Sequence, residues 1–292
     1  QLLKRYLADK SKTKKSFRSL KFKDLDNSFR LDFEKYCQNE MYKISNTYKN
    51  LKFLKMICNV AESFDIEVHK KVKDWRFELE KATKNDPKSI YLTFEELDKI
   101  EQSEMPHDYL DNARDWLIIA CYTGQRVSDY LRFNPSMITE DSDGQKYLEF
   151  TQQKTNARML IPLLKKVQEI LEKRNGDFPR KISDVKFNLY IKEVCKIAGI
   201  DEIVYNGKTT TIEREDKSKI TRKIFGEFPK YELVTSHIGR KSFASNFYEV
   251  IPTANLLNFT GHTTERQLLN YINKTEVEKA KSTAKIFNSL GF

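Results

Sequence analysis

"GHTTERQLLNYI", residues 261–272, sets a histidine directly after a glycine and a tyrosine nine residues further on, near the end of a short amphipathic stretch. Tyr271 has two readings. Beside Leu268, Leu269 and Ile272 it fits a helix turned toward a core, where most tyrosines in such company sit. As a hydroxyl close to a histidine it is also a candidate nucleophile. The choice depends on what the rest of the chain supplies.

Three other stretches supply residues suited to phosphodiester chemistry. "CYTGQRVSDYLRF" (121–133) offers Arg126 on a glycine-containing bend, with Asp129 one helical turn on and able to hold the guanidinium. "TQQKTNARM" (151–159) places Lys154 at the tip of a hairpin, and "TSHIGRKSFASNFY" (235–248) places His237 and Arg240 one helical turn apart, on one face. Taken singly, each has an ordinary explanation as an ion pair, a solvated lysine or a chance spacing. The ordered set of Arg, hairpin Lys, His-x-x-Arg, Gly-His and Tyr is what carries weight.

Bulk composition sets the frame. The chain has 292 residues, 39% of them hydrophobic, and only 9 glycines, enough for two ordered domains. The run "QLLKRYLADKSKTKK" has no secretory apolar core, and nowhere does an apolar run approach the length of a membrane span, so a cytoplasmic protein with no membrane partner is expected. Opening on Gln rather than Met fits a trimmed N-terminus. Cys37, Cys58, Cys121 and Cys195 lie apart, without metal-ligand spacing, and read as reduced, buried thiols. Charge is uneven: residues 1–90 carry 22 Lys+Arg against 13 Asp+Glu, whereas the remainder carries 30 against 29. Such an N-terminal excess suits a polyanion-binding module joined to a near-neutral one.

The organisation along the chain agrees with that split. Residues 25–64 show apolar positions at helical spacing, such as Leu51, Leu54, Ile57 and Cys58, with Asn46 or Thr47 near a helix start. A charged stretch through Asn85, Asp86 and Pro87 reads as a linker. Thr93 and Glu96 then have capping-box spacing. The reading is therefore a helical domain over 1–88 and a second domain over 89–292, mainly α with a small β-sheet (α+β). In the second domain, "ARDWLIIACYTGQ" reads as a buried helix ending near Gly124. "KYLEF" and "RMLIPL" read as strands, "LLKKVQEILEKR" as an amphipathic helix, and 202–232 as a hairpin about Asn206-Gly207. Phosphate-cradling glycine loops and common hydrolase and metalloprotease motifs are absent.

The ordered set resembles the tyrosine recombinases, or phage integrases, and is similar to the integrases of conjugative transposons and prophages. Arg126, Lys154, His237, Arg240, His262 and Tyr271 match the family's catalytic positions in order and approximate spacing. "TGQRVSDYLRF" resembles its first arginine box, and "SHIGRKSFASNFY" with "FTGHTTERQLLNYI" its second. Coverage runs from about residue 15 to about residue 285. Gly239 and Lys241 stand where "LRH" is common, and the 202–232 hairpin is longer than in the smallest members.

The resemblance implies a helical core-binding domain, a catalytic domain and site-specific DNA cleavage through a 3′-phosphotyrosine and a free 5′-hydroxyl, integrating or excising a mobile element. A phenolic hydroxyl titrating near about 10 needs help at neutral pH. Two arginines, Arg126 and Arg240, suit the charge that develops on the phosphate oxygens. By the resemblance, Lys154 is the general acid, His237 the base or proton relay for Tyr271, and His262 a hydrogen-bond donor to the phosphate. Asp129 is expected to orient Arg126. No carboxylate cluster suited to two metals is seen, so no metal or cofactor is expected. Partners implied are double-stranded DNA at attachment or core sites, three further copies in a homotetramer on two sites, and an accessory DNA-bending protein. The protein would be nucleoid-associated when bound. Lys43, Lys49, Lys52 and Lys55 are candidate DNA contacts, and Ala280, Ala284, Phe287 and Leu290 mark a tail helix that docks on a neighbouring protomer in the family. A type IB topoisomerase-like enzyme and a non-catalytic DNA-binding protein of the same fold are the alternatives.

Overall fold

The computed structural model describes residues 1–13, 20–79, 86–214, 218–248, 250–269, 271–272 and 276–289. These gather into two units, Gln1–Pro87 with Thr209–Ile224, and Lys88–Lys208 with Phe225–Phe292. Leu290 and Asn85 lie outside the described residues.

The first unit is built on α1 (Leu2–Thr13), α2 (Asn27–Asn39) and α3 (Ile44–Glu62). Asp26 starts α2 by accepting the Phe29 N–H, satisfying a donor that the first turn leaves open. Helical spacing turns Phe29, Phe33 and Cys37 inward to meet Leu51, Leu54 and Cys58, with Tyr6 of α1 set edge-on against both phenylalanines. Trp75 closes this core, stacked on Phe29. The sequence placed the start of α3 at Asn46 or Thr47; it lies earlier, with Lys43 as N-cap, and the Thr47 hydroxyl is spent on the Lys43 carbonyl. Lys70–Asp74 forms a 3₁₀ turn whose end is held by the Lys55 ammonium, which donates to the carbonyls of Lys73 (2.7 Å) and Trp75 (3.0 Å).

The second unit is organised around α5 (Asp108–Thr123), a helix buried over most of its circumference. Before it, α4 (Phe94–Gln102) begins with the capping box read from sequence: Glu96 N–H donates to the Thr93 hydroxyl and Thr93 N–H to the Glu96 carboxylate. After it come the short α6 (Val127–Tyr130) and the antiparallel strands β1 (Ile138–Glu140), β2 (Lys146–Thr151) and β3 (Arg158–Pro162), with β2 central. The register pairs Leu148 with Ile161 and Phe150 with Met159. Because strand side chains alternate, those four share the inner face and join the core with Trp116, Leu117 and Ile119. Two helices pack on α5: α7 (Lys165–Lys173), which adds Val167, Ile170 and Leu171 to the core, and α8 (Asp184–Ile197), which adds Phe187, Ile191 and Val194. All four cysteines are free and buried, and burial pushes the Cys121 thiol up to about 12.

A long hairpin follows, β4 (Ile203–Glu213) and β5 (Lys219–Pro229). The sequence set its turn at Asn206-Gly207. Instead β4 runs on through that pair to Glu213, and the Arg214 N–H donates to the Ser218 carbonyl. Asn206 lies within β4, buried, with its amide donating to the Lys88 carbonyl and its oxygen accepting the Gly207 N–H. An Asn-Gly pair favours a tight turn only where both residues adopt positive φ, and Gly207 does not.

The chain then forms α9 (Lys230–Leu233), α10 (Ile238–Phe247), α11 (Thr253–Thr260), α12 (Glu265–Leu269) and α13 (Glu276–Ser289). Helix α10 crosses α5 in close contact. A Cβ on Gly239 would sit 2.5 Å from the Ala120 Cβ, so the Leu common at this position in the resembled family has no room here. This crossing sets the start of α10 beside the end of α5. Among the described residues no helix is long and apolar enough to cross a membrane.

Candidate active site

Four chain segments converge beside that crossing. Gly124 caps α5, and Arg126 follows in extended conformation as N-cap of α6. His237 begins α10 and Arg240 lies in its first turn. Gly261 ends α11 with φ +61, which turns the chain so that His262 faces back toward α10. Tyr271 follows α12, with its N–H donated to the Leu268 carbonyl and its own carbonyl accepting from Ser245 of α10. Lys154 sits on the turn joining β2 to β3.

Arg126, Lys154, His237, His262 and Tyr271 line one open cleft of about 470 Å³, together with Val127, Ser128 and Gln267. Arg240 lies behind that lining, against His262 and Tyr271. It is 1% exposed, donates to the carbonyls of Gly124 (3.1 Å) and Thr260, and has an Nη2 3.3 Å from His262 Nε2. Its Nε–H is buried without a partner. The Tyr271 ring lies among these groups, with its centroid 5.3 Å from that of His237, 4.7 Å from that of His262 and 5.6 Å from the Arg240 guanidinium carbon. Tyr271 is thus only half-buried, and its ring faces the cleft as well as the small core of Phe243, Leu256 and Leu268.

The electrostatics favour an anion. Burial, then Arg126, draw the Arg240 guanidinium down to about 10. Burial and the cations Arg240 and Arg126 hold His262 at about 4. Packing in the cleft, with Lys241, Arg240, Arg126 and Lys154 around it, holds His237 near the same value. His237 is open to solvent, so water screens its shift more than that of half-buried His262. Both rings are neutral at pH 7. An arginine can only donate, so His262 Nε2 accepts from Arg240 and Nδ1–H points to the Thr260 hydroxyl at 2.8 Å, whose own proton goes to the Leu256 carbonyl. In this arrangement His262 Nε2 steadies Arg240.

Asp129 has partners other than the one read from sequence. Its carboxylate is fully buried, accepts the Gln153 N–H at 2.9 Å and meets Arg132 at 3.4 Å. Arg126 instead donates its Nη1 to Gln152 Oε1 at 2.8 Å. The extended backbone at Arg126 carries its side chain toward the hairpin, while helical Asp129 points beneath it. Asp129 therefore braces the Lys154 turn. Gln152 and its neighbour Gln125, both 1% exposed, were missed in the sequence because an uncharged carboxamide has no motif signature. Ser245 was missed because a lone serine hydroxyl within a helix has no motif signature either. Of the candidate DNA-contact lysines, Lys43, Lys49 and Lys52 are exposed, whereas the Lys55 ammonium is committed to the two carbonyls of the first unit.

A second cavity, of about 540 Å³ in the first unit, lacks this chemistry: it is lined by Arg5, Glu40, Tyr42, Arg214 and Arg222, but its guanidiniums are tied to Glu40 or Tyr42 and no histidine lines it. Among the described residues no group of three or more His, Cys, Asp or Glu is placed to hold a metal ion.

No protein-family model and no curated protein sequence matches the chain. Solved structures do. A lambda integrase dimer bound to a COC′ core site is matched with TM-score 0.62 and 18% identity, over 94% of this chain and 89% of that one. XerH site-specific recombinase in a post-cleavage complex with palindromic difH gives 0.62 and 16%, over 97% and 77%. The Tn1549 transposon integrase with circular intermediate DNA gives 0.60 and 15%, over 97% and 90%. These similarities span nearly the whole chain, and the chain has the tyrosine-recombinase fold.

Proposed function

We propose that this protein is a site-specific tyrosine recombinase that breaks and rejoins double-stranded DNA, with Tyr271 as nucleophile. The observation that carries the reading is the convergence of Arg126, Lys154, His237, Arg240, His262 and Tyr271 on one cleft whose field disfavours further positive charge. A DNA phosphate answers that field. Arg126 and Arg240 hold its non-bridging oxygens, the buried Arg240 Nε–H being one unspent donor. Neutral His237 takes the proton from Tyr271 as the Tyr271 Oη–phosphorus bond forms. The bond from phosphorus to the 5′-oxygen breaks, and the Lys154 ammonium gives that oxygen a proton. Attack by a 5′-hydroxyl reverses the steps and rejoins the strand, so the bond energy is kept without a nucleotide cofactor.

The first unit, with its basic excess, serves as the core-type DNA-binding domain, 1–88 in sequence terms. Lys43, Lys49 and Lys52 are its candidate phosphate contacts. Four copies acting on two sites would exchange strands to integrate or excise a mobile element, with a DNA-bending protein aiding assembly. The exposed Val277 and Phe287 of α13 support docking of that helix on a neighbouring copy. The solved relatives were captured with core-site, difH or transposon DNA, which supports this choice over a binding protein without chemistry.

The test is covalent capture. The chain is incubated with a pool of nicked duplexes of randomised centre, whose nick lets the short fragment bearing the released 5′-hydroxyl diffuse away, and adducts are recovered under denaturing conditions and sequenced. Wild type should yield adducts enriched in one site, in the presence of a chelator as in its absence, and Tyr271→Phe should yield none. Adducts formed equally by Tyr271→Phe, or none from wild type while it binds the pool, would overturn the proposal.

A further inference from the structure

Gln152 occupies an unusual place. Its side chain is buried, and its Oε1 accepts two hydrogen bonds, from Arg126 Nη1 (2.8 Å) and from the Thr155 hydroxyl (2.7 Å). Its Nε2 donates to Gln125 Oε1 at 3.3 Å. The amide orientation follows from its neighbours, since a flipped carboxamide would set an NH₂ against a guanidinium. Gln125 in turn donates to the carbonyls of Thr123 (2.8 Å) and Phe259 (2.7 Å), tying the end of α5 to the end of α11. The Gln152 backbone closes the Lys154 turn, with its N–H on the Ala157 carbonyl and its carbonyl accepting from Asn156. Gly261 lies so close that a Cβ there would approach Gln152 Nε2 to 2.9 Å. One carboxamide therefore touches Arg126, the turn that carries Lys154 and the approach to His262.

We infer that Gln152 is a positioning residue that sets the Arg126 guanidinium and the Lys154 turn in one register, so that charge stabilisation and leaving-group protonation reach the same phosphate together. The inference rests on the strand-cleavage reading above. Arg126 has two faces to offer, and an acceptor fixed by burial on one of them leaves the other for the phosphate. A bare turn would let Lys154 wander; the Thr155 bond to the same oxygen, with the Asp129 bond to Gln153, holds both sides of Lys154. Gln152 touches no reacting atom. Its effect is on geometry, where misplacement by about 1 Å can cost on the order of 100-fold.

The experiment measures single-turnover cleavage of the captured site by wild type, Gln152→Met and Lys154→Ala. Each is tested on a duplex with the ordinary 5′-oxygen at the scissile phosphate and on one with bridging sulfur there. Methionine keeps the volume and removes the hydrogen bonds, and thermal melting identifies any variant that does not fold. A thiolate leaves without a proton, so sulfur bypasses a lost general acid. Lys154→Ala should be restored almost fully by sulfur. Gln152→Met should lose roughly 100-fold on the oxygen substrate and roughly 10-fold on the sulfur substrate, because only its effect through Lys154 is bypassed. A Gln152→Met rate within about twofold of wild type, a loss equal on both substrates, or full restoration by sulfur would each overturn the inference. If wild type cleaves neither substrate, the strand-cleavage reading itself fails, whereas failure of the inference alone leaves wild-type cleavage intact.

Discussion

His262 shows how a residue can be legible in type yet not in role. The Gly-His pair was visible in the sequence, but the tautomer depends on Arg240, which approaches from another segment, as well as on nearby Thr260. Its depressed pKa also gives a stability signature. The unfolded ring titrates near 6.5 and the folded ring near 4, so as pH falls through this window the unfolded chain takes up the proton first. The contribution is complete above 6.5 and is lost progressively toward 4. His262→Gln, whose amide still fits between Arg240 and Thr260, should therefore lose less stability than wild type between pH 7 and pH 5, by on the order of 1 kcal/mol after solvent screening. Urea denaturation at the two pH values measures this, and identical pH dependence in the two proteins would refute it. Asp129 makes the complementary point: three-residue spacing placed it near Arg126, but backbone geometry at the helix start decided which group it meets.

At the scale of elements, period and caps were readable wherever local rules act alone. The Thr93–Glu96 box, the two strands flanking Lys154 and the end of α5 at Gly124 all follow from neighbours in sequence. Readings failed where a distant partner decided. The hairpin turn was set at Asn206-Gly207 because the pair favours turns, but burial of Asn206 against Lys88 keeps it in a strand. Strand β1 is three residues long and gave no period to read. Glu96 has a second duty invisible in the sequence, since it pairs with the buried Lys230 ammonium at 2.6 and 2.7 Å. This pair locks α4 to α9. Thr93→Ala should cost about 1 kcal/mol, the usual loss of a cap. Glu96→Ala should cost about 3 kcal/mol or more, because it also leaves a buried cation alone. Equal shifts in the denaturation midpoints of the two variants would show that the pair contributes nothing.

Across the whole molecule, the uneven charge and the ordered set of six residues pointed to the same architecture because both are properties of composition and order, which need no coordinates. What they could not supply was convergence. Residues 126 and 271 are far apart in sequence, and their meeting depends on α10 crossing α5 at Gly239, a contact that no local pattern encodes. On the proposed reading, convergence within one chain has Tyr271 attack a phosphate held by its own Arg126 and Arg240. The measurement that tests this account most directly is mass spectrometry of the trypsinised covalent adduct. The account predicts the DNA linked through its 3′-phosphate to the peptide "QLLNYINK" (267–274), with the modification on Tyr271. A 5′ linkage, or attachment at any other residue, would contradict it.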